Sequence, residues 1–264
     1  MPWTKDALKK INIRKNLEIS DPSPEMFQIR HVLGQKDIWF FVNPDMKKTA
    51  YKKVEFPTGD KIPWKWDPET GKMEIYSYNE SPSVLTIELD PLESLLLVFE
   101  PGKLNAHNKA ETPEARGDTV LVITGPWKVD FHHINGNNFS LTFDELKEFG
   151  TSTDEKLNSF AGTVFYKIMF DSDGRGRWLS LNNLNRGVAE VNLNGKNAGV
   201  CWYGKPVFNI SSLLKKGENT LVIKYTTTLS NYVRTLKDNP AAVRWTKGYS
   251  PVVSGLTGKV VIFN

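Results

Sequence analysis

GVAEVNLNGKNAGVCWYGKPVFNISSLLKKGENTLVIKY, residues 187–225, carries three local signals that agree on one compact β arrangement. Ala189, Val191 and Leu193 alternate with Glu190 and Asn192, the period-two pattern of a strand with one buried face. Asn194-Gly195 follows directly. Asn-Gly readily adopts the positive φ angles of a type I′ turn, whose twist matches paired strands, so the chain is expected to return as a hairpin through residues 196–202. With a two-residue loop, Leu193 faces Lys196 and Val191 faces Ala198. That register puts Ala198, Val200 and Trp202 on the buried face and turns Asn197 and Cys201 outward, unless a β-bulge reverses the parity of Trp202. Ser211 or Ser212 can then cap a helical turn over residues 213–216, with Gly217 as the left-handed residue that ends it. Residues 219–225 return as a strand.

Working outward, residues 254–263 read as a final strand, and 160–170 as the most regular one, with Val164, Tyr166, Ile168 and Phe170 on one face. Strands are also expected at 119–124 and 178–184. Short strands with long loops fit a jelly roll. Residues 105–118 have almost no large apolar side chain and read as a linker. Ahead of it, strands at 27–33 and 37–43 are joined at Gly34-Gln35-Lys36, and others are expected at 52–56, 72–78, 84–89 and 94–100. A turn from Trp64 through Pro68 to Gly71 lies between two of them. Residues 5–13 fit a short helical lead-in, stopped by Asp21-Pro22-Ser23-Pro24. The chain is thus read as all-β: a small antiparallel β-sandwich over residues 1–104, a linker over 105–118 and a jelly roll over 119–264.

At 264 residues there is room for two domains, each with its own core, but not for a large barrel as well. The net charge of +4 is mild, and the lysines near residues 46–53 and 214–216 alternate with turn or apolar residues, so a solvated surface is expected and no nucleic-acid partner. Cys201 is the only cysteine, which excludes an internal disulfide. No apolar run reaches membrane-spanning length, and the amino end lacks the apolar core of a signal peptide.

The 187–225 stretch resembles the galactose-binding-like jelly roll attached to many glycoside hydrolases. In that domain an Asn-Gly-Lys hairpin, an aromatic loop, a Phe-x-Ile-[Ser/Thr]-x-Leu turn and a Gly-x-Asn-x-Leu strand follow in this order. Beyond it, the order of segments over nearly the whole chain is similar to the carboxy-terminal part of glycoside hydrolase family 106, the bacterial α-L-rhamnosidase family. The residues that carry this are Ile29-Arg30-His31, the run from Asp37 to Asn43, the run from Trp66 to Gly71 and that from Leu95 to Phe99. Residues 124–129, 159–166 and 254–260 continue it. The resemblance implies a secreted bacterial parent, periplasmic or extracellular, that degrades polysaccharide with an acid and a base on an upstream barrel. No catalytic residue is therefore assigned, and this chain is expected not to be an enzyme alone. One departure stands out: Tyr203-Gly204-Lys205-Pro206-Val207-Phe208 occupies a loop where relatives often place two prolines and a Tyr or Phe.

Glycoside cleavage needs two carboxyl groups at a set separation, and none of the thirty Asp and Glu has a diagnostic setting. His132 and His133 are strand neighbours that point to opposite faces and cannot readily clasp one ion. The loop from Asp171 to Gly176 opens like a calcium loop but puts Arg175 where an oxygen ligand belongs, so an ordinary turn is expected. No cofactor is expected, although jelly rolls of this kind often hold a structural Ca2+ through backbone carbonyls. A sugar ring presents an apolar face and a hydroxyl rim, so its site needs an exposed aromatic plate beside amides or charges. Loops on both sides of the jelly roll offer candidates: Trp202 and Tyr203 near Asn197, Lys205 and Asn209, and Trp245 with Tyr249 in a long connection. Trp39, Trp127 and Trp178 fall within strand patterns and are expected in the core. The expected partners are the parent's catalytic barrel and a rhamnose- or galactose-containing polysaccharide. Three roles stay open: the packed tail of a glycoside hydrolase, an independent carbohydrate-binding module, and a structural clamp. A large apolar surface patch would favour the clamp, and a concave aromatic site the module.

Overall fold

The computed structural model describes residues 15–22, 26–45, 48–76, 78, 81–102 and 117–264. The chain is all-β and divides into two compact units, residues 1–115 and 116–264. The expected helix at 5–13 and most of the expected linker at 105–118 lie outside the described residues.

The first unit contains β1 (Glu18–Ile19), β2 (Phe27–Leu33), β3 (Lys36–Val42), β4 (Ala50–Glu55), β5 (Ile62–Trp66), β6 (Met73–Ile75), β7 (Val84–Leu89) and β8 (Ser94–Glu100). They form a three-stranded sheet, β1-β4-β7, and a five-stranded sheet, β2-β3-β8-β5-β6, both antiparallel. Trp39, Phe41, Leu95, Leu97 and Phe99 of the larger sheet pack on Val54, Leu85, Ile87 and Leu89 of the smaller. Phe56 closes this layer, with its ring 4.9 Å from Trp39 and 4.8 Å from Phe99. At the margin, the buried Asp37 accepts from Arg30 and Lys61, each at 2.6 Å. Burial alone would raise its carboxyl, but the two cations outweigh burial and hold it below the usual range.

One expectation needs correction here. Trp64 and Trp66 belong to β5 and not to a turn; the turn begins at Asp67, whose carboxylate accepts from the backbone N–H of Glu69 and the Thr70 hydroxyl. The alternation of Ile62, Trp64 and Trp66 carries the strand up to the point where Pro68 breaks it.

The second unit contains β9 (Thr119–Ile123), β10 (Trp127–His133), β11 (Phe139–Phe143), β12 (Gly162–Asp173), β13 (Trp178–Asn185), β14 (Gly187–Leu193), β15 (Lys196–Cys201), β16 (Val207–Asn209), β17 (Lys216–Thr227) and β18 (Gly255–Phe263). Three short helices join them: α1 (Glu155–Asn158), α2 (Ser230–Val233) and α3 (Pro240–Thr246). A six-stranded sheet, β11-β10-β12-β17-β14-β15, faces a four-stranded one, β16-β13-β18-β9, in a jelly-roll sandwich. Trp127, Phe131, Tyr166, Leu179, Val191 and Ile262 lie in its core. Two buried tyrosines tie the sheets together. The Tyr225 hydroxyl donates to Asn185 O and accepts from the Gly255 N–H, and the Tyr166 hydroxyl accepts from the Leu256 N–H. Burial pushes the Tyr225 hydroxyl up to about 12.

The hairpin turns as expected, with Asn194 and Gly195 at φ +54° and +77° and Leu193 opposite Lys196. The expected register holds for one more pair and then fails. Asn192 pairs with Asn197 and Val191 with Gly199, so Ala198 is the extra residue of a bulge. Gly199, at φ +136°, supplies a backbone conformation that other residues rarely adopt. The Asn197 side chain clamps the bulge by accepting from the Gly199 N–H and donating to Glu190. Every later side chain changes face: Cys201 enters the core, while Val200 and Trp202 are 53% and 60% exposed. Ala198, expected in the core, is only half-buried.

Two smaller corrections follow. The helical turn after β16 is closed earlier, at Ile210, by an Asn209 side chain that accepts from the Ser211 N–H and hydroxyl, and not by a serine. Trp178 is half-buried, unlike Trp39 and Trp127, which are fully in the core.

Candidate functional site

The strand register decides where the aromatic loops sit. Ala189 pairs with Cys201 on one side, and Gly187 pairs with Thr227 on the other. The end of β15 and the end of β17 therefore lie at the same end of the six-stranded sheet, with β14 between them. The β15–β16 loop and the long β17–β18 connection leave the sheet two strand spacings apart, roughly 10 Å. They do not flank the jelly roll from opposite sides, as the sequence led us to expect.

In the first loop the bulge turns Trp202 outward, and its ring meets that of Tyr203 edge-on at 4.7 Å. Lys205 is exposed in the same loop. Asn197 and Asn209 are held in local structure: one clamps the bulge, the other caps the following turn. In the second loop, Trp245 and Tyr249 are 76% and 71% exposed. Asn231 fixes this connection to the sandwich, because its buried amide donates to Val252 O and Gly150 O and accepts from the Val252 N–H. Between α2 and the end of α3 lies a cavity of about 280 Å³, lined in part by Tyr249 and by Arg234, whose Nε donates to Tyr249 O at 3.2 Å. Trp245 does not line it.

A second feature appears on the first unit. Residues paired across a sheet share a face, and the register links Ile29, Phe40, Leu96, Trp66 and Met73 in one row spanning all five strands. The adjacent row runs from His31 through Ile38, Val98 and Trp64 to Ile75. This is the side opposite the core residues Trp39, Phe41 and Leu97. Ile29 and Met73 are 66% and 58% exposed, and Phe27 beside them is 62% exposed. Lys36 and Glu100, paired at 2.5 Å, border the patch.

No protein-family model matches the chain. In fold it is similar to a rhamnosidase from Novosphingobium sp. PP1Y, with a TM-score of 0.73 and 24% identity, over 98% of this chain and 26% of that one. In sequence it is 30% identical over 132 residues to a "Putative beta-glucuronidase" of Formosa agariphila, covering 47% of this chain and 11% of that protein. Both relatives are glycoside hydrolases by name, and the chain spans about a quarter of one and a ninth of the other.

The remaining candidates resolve into structure. His132 is exposed and edge-on to Phe165, whereas His133 packs between Phe160 and Tyr232. Burial lowers the His133 pKa, against a smaller opposing pull from a hydrogen bond with the Ser159 backbone. The Asp173 carboxylate accepts from the Arg175 backbone and guanidinium, which closes the turn that resembled a calcium loop. Among the described residues no three His, Cys, Asp or Glu are grouped to hold a metal ion, and no helix is long and apolar enough to cross a membrane. Sequence reasoning missed the apolar face and the cavity. The runs Ile38–Val42 and Leu95–Phe99, apolar at consecutive positions, were the signal for a sheet with both faces apolar.

Proposed function

We propose that this chain is the non-catalytic β-sandwich region of a rhamnosidase-like glycoside hydrolase of family 106, seated on that enzyme's catalytic domain through the outer face of the five-stranded sheet. The apolar rows across that face carry the reading. A solvated sheet face alternates with polar residues, whereas this one sets Ile29, Phe40, Leu96, Trp66 and Met73 side by side within a charged border. The apolar side chains left exposed there, Ile29, Phe40 and Met73, favour burial against a partner. The likeness in fold to about a quarter of a rhamnosidase supports a catalytic domain as that partner. In this reading the acid and base lie on the partner domain, and the parent works outside the cytoplasm on polysaccharide.

The test uses the purified chain. It should bind an apolar fluorescent dye or self-associate at micromolar concentration, and an Ile29→Ser/Phe40→Ser double variant should lose that behaviour while keeping its circular dichroism. The chain should also leave an aryl rhamnoside intact. A dye-silent monomer, or measurable turnover of the rhamnoside, would sink the reading.

A second reading, contact with carbohydrate, is favoured by a separate observation. Two loops that each present an exposed aromatic ring, Trp202 with the half-buried Tyr203 edge-on to it and Trp245 with Tyr249, leave one end of the jelly roll. Such rings can stack on the apolar face of a sugar.

A further inference from the structure

We propose that the cavity in the β17–β18 connection binds the anionic group of an acidic sugar, with Arg234, Lys237 and Lys247 as the cationic wall and Tyr249 as the ring's platform. This deepens the second reading above and rests on it.

The charge of the lining is one-sided. Arg234, Lys237 and Lys247 face the cavity with Val243, Thr246, Gly248 and Tyr249, and no carboxylate is among the lining residues. Asp238, the acid nearest in sequence, is not part of the wall. Among the described residues none of the three cations forms an ion pair. Elsewhere in the same unit cations do pair: Lys167 with Asp130, and Lys224 with Glu190. Three neighbouring positive charges repel one another, and a bound anion relieves that repulsion.

The chemistry of each wall residue narrows the ligand. Arg234 is half-buried, and its Nε is engaged by Tyr249 O. This contact orients the guanidinium and leaves its terminal N–H groups for a two-pronged contact with a carboxylate or sulfate. Lys237 and Lys247 add mobile point charges at the rim. Val243 and the Tyr249 ring supply apolar surface for the C–H face of a pyranose. A half-open hollow of about 280 Å³ has room for one sugar ring. The Asn231 anchor and the α3 cap, where the Asn239 side chain accepts from the N–H groups of Ala241 and Ala242, hold the loop in place before any ligand arrives.

The ligand's charge can come from a uronate or from a sulfate ester, and the experiment separates them. Titrate the chain by calorimetry at low salt with sodium D-glucuronate, with D-glucose 6-sulfate and with neutral D-glucose, then repeat with Lys247→Ala and Arg234→Ala. Lys247 is exposed, so its variant should fold even if the Arg234 variant does not. The expected result is millimolar binding of at least one anionic sugar, weakened about tenfold or more by either substitution and by raised salt, with glucose at least tenfold weaker. Whichever anionic sugar binds names the source. Equal binding of glucose would overturn the anionic pocket and leave the carbohydrate reading standing. Anionic sugar binding unchanged in Lys247→Ala would place the site elsewhere and overturn the proposal. No binding of any of the three sugars would overturn both.

Discussion

Two outer sheet faces, one in each unit, show opposite chemistry in the same geometry. Across the six-stranded sheet of the second unit, one row runs Ser140, Asp130, Phe165, Lys224, Glu190, Val200. Asp130 accepts from Ser140 and is ion-paired to Lys167, and Lys224 is ion-paired to Glu190. That is how a solvated sheet looks. The corresponding row of the first unit, Ile29 to Met73, has no charge in it. Its charges sit instead at the margin of the inner layer, where Arg30 lies over the Trp39 ring at 4.9 Å and reaches Asp37. Both sheets bury their inner faces, so the inner cores cannot account for the contrast. It lies in the outer faces themselves, ion-paired in the second unit and apolar across the row in the first.

The largest expected effect sharpens the distinction between the two faces of the five-stranded sheet. Trp39→Ala empties a fully buried site among Phe56 and Phe99 and should cost about 3–5 kcal/mol in denaturant unfolding of the first unit. Ile29→Ser, one strand away and on the opposite face, should change stability by about 1 kcal/mol or less. If Ile29→Ser cost as much as Trp39→Ala, the outer face would already be covered within the chain.

The next effect concerns the charged margin. Asp37→Asn leaves Arg30 and Lys61 without their shared carboxylate and should cost about 1.5–3 kcal/mol at neutral pH. The sign with pH follows from the folded-state pKa, which lies below the unfolded value. The carboxylate's contribution is fully present above the ordinary Asp pKa of about 3.9 and is lost as pH falls through the lower folded value. Thermal melts from pH 7 down to pH 2 should therefore bring wild type and Asp37→Asn together only on the acid side. A gap that stayed constant with pH would mean that packing, and not charge, holds Asp37.

Much of this architecture was legible in the sequence, for a physical reason. Strands such as 27–33, 84–89 and 94–100 are bounded by turn residues, and Asn194-Gly195 has little choice of turn. The bulge was not legible, because Gly199 tolerates an ordinary extended conformation as readily as the positive φ it adopts, and the sequence does not say which. Yet that one residue moves Trp202 from core to surface and Cys201 the other way. The outer apolar face was not legible because a run of consecutive apolar residues, such as 38–42, does not say whether its second face meets solvent or another surface. The cationic cavity needed the folded connection: Arg234 and Lys237 lie past the end of α2 and Lys247 past the end of α3, and the folded connection sets all three on one wall.

The smallest expected effect tests the solvated side of the comparison. Hydrogen bonds from Lys167 and Ser140 hold the Asp130 carboxyl below its usual range, so its contribution, like that of Asp37, is present above the ordinary Asp pKa and lost in acid. Its setting differs, since Lys167 is 43% exposed, and water and salt screen the pair. Asp130→Asn should therefore cost about 0.2–1 kcal/mol at low salt, with the loss shrinking toward zero in about 1 M NaCl, where the screening length falls to about 3 Å. Asp37→Asn, inside the first unit, should keep most of its cost at the same salt. Equal costs and equal salt dependence for the two variants would mean that the six-stranded face is as sheltered as the margin of the first core. The contrast between a face built for water and a face built for a partner would then fall.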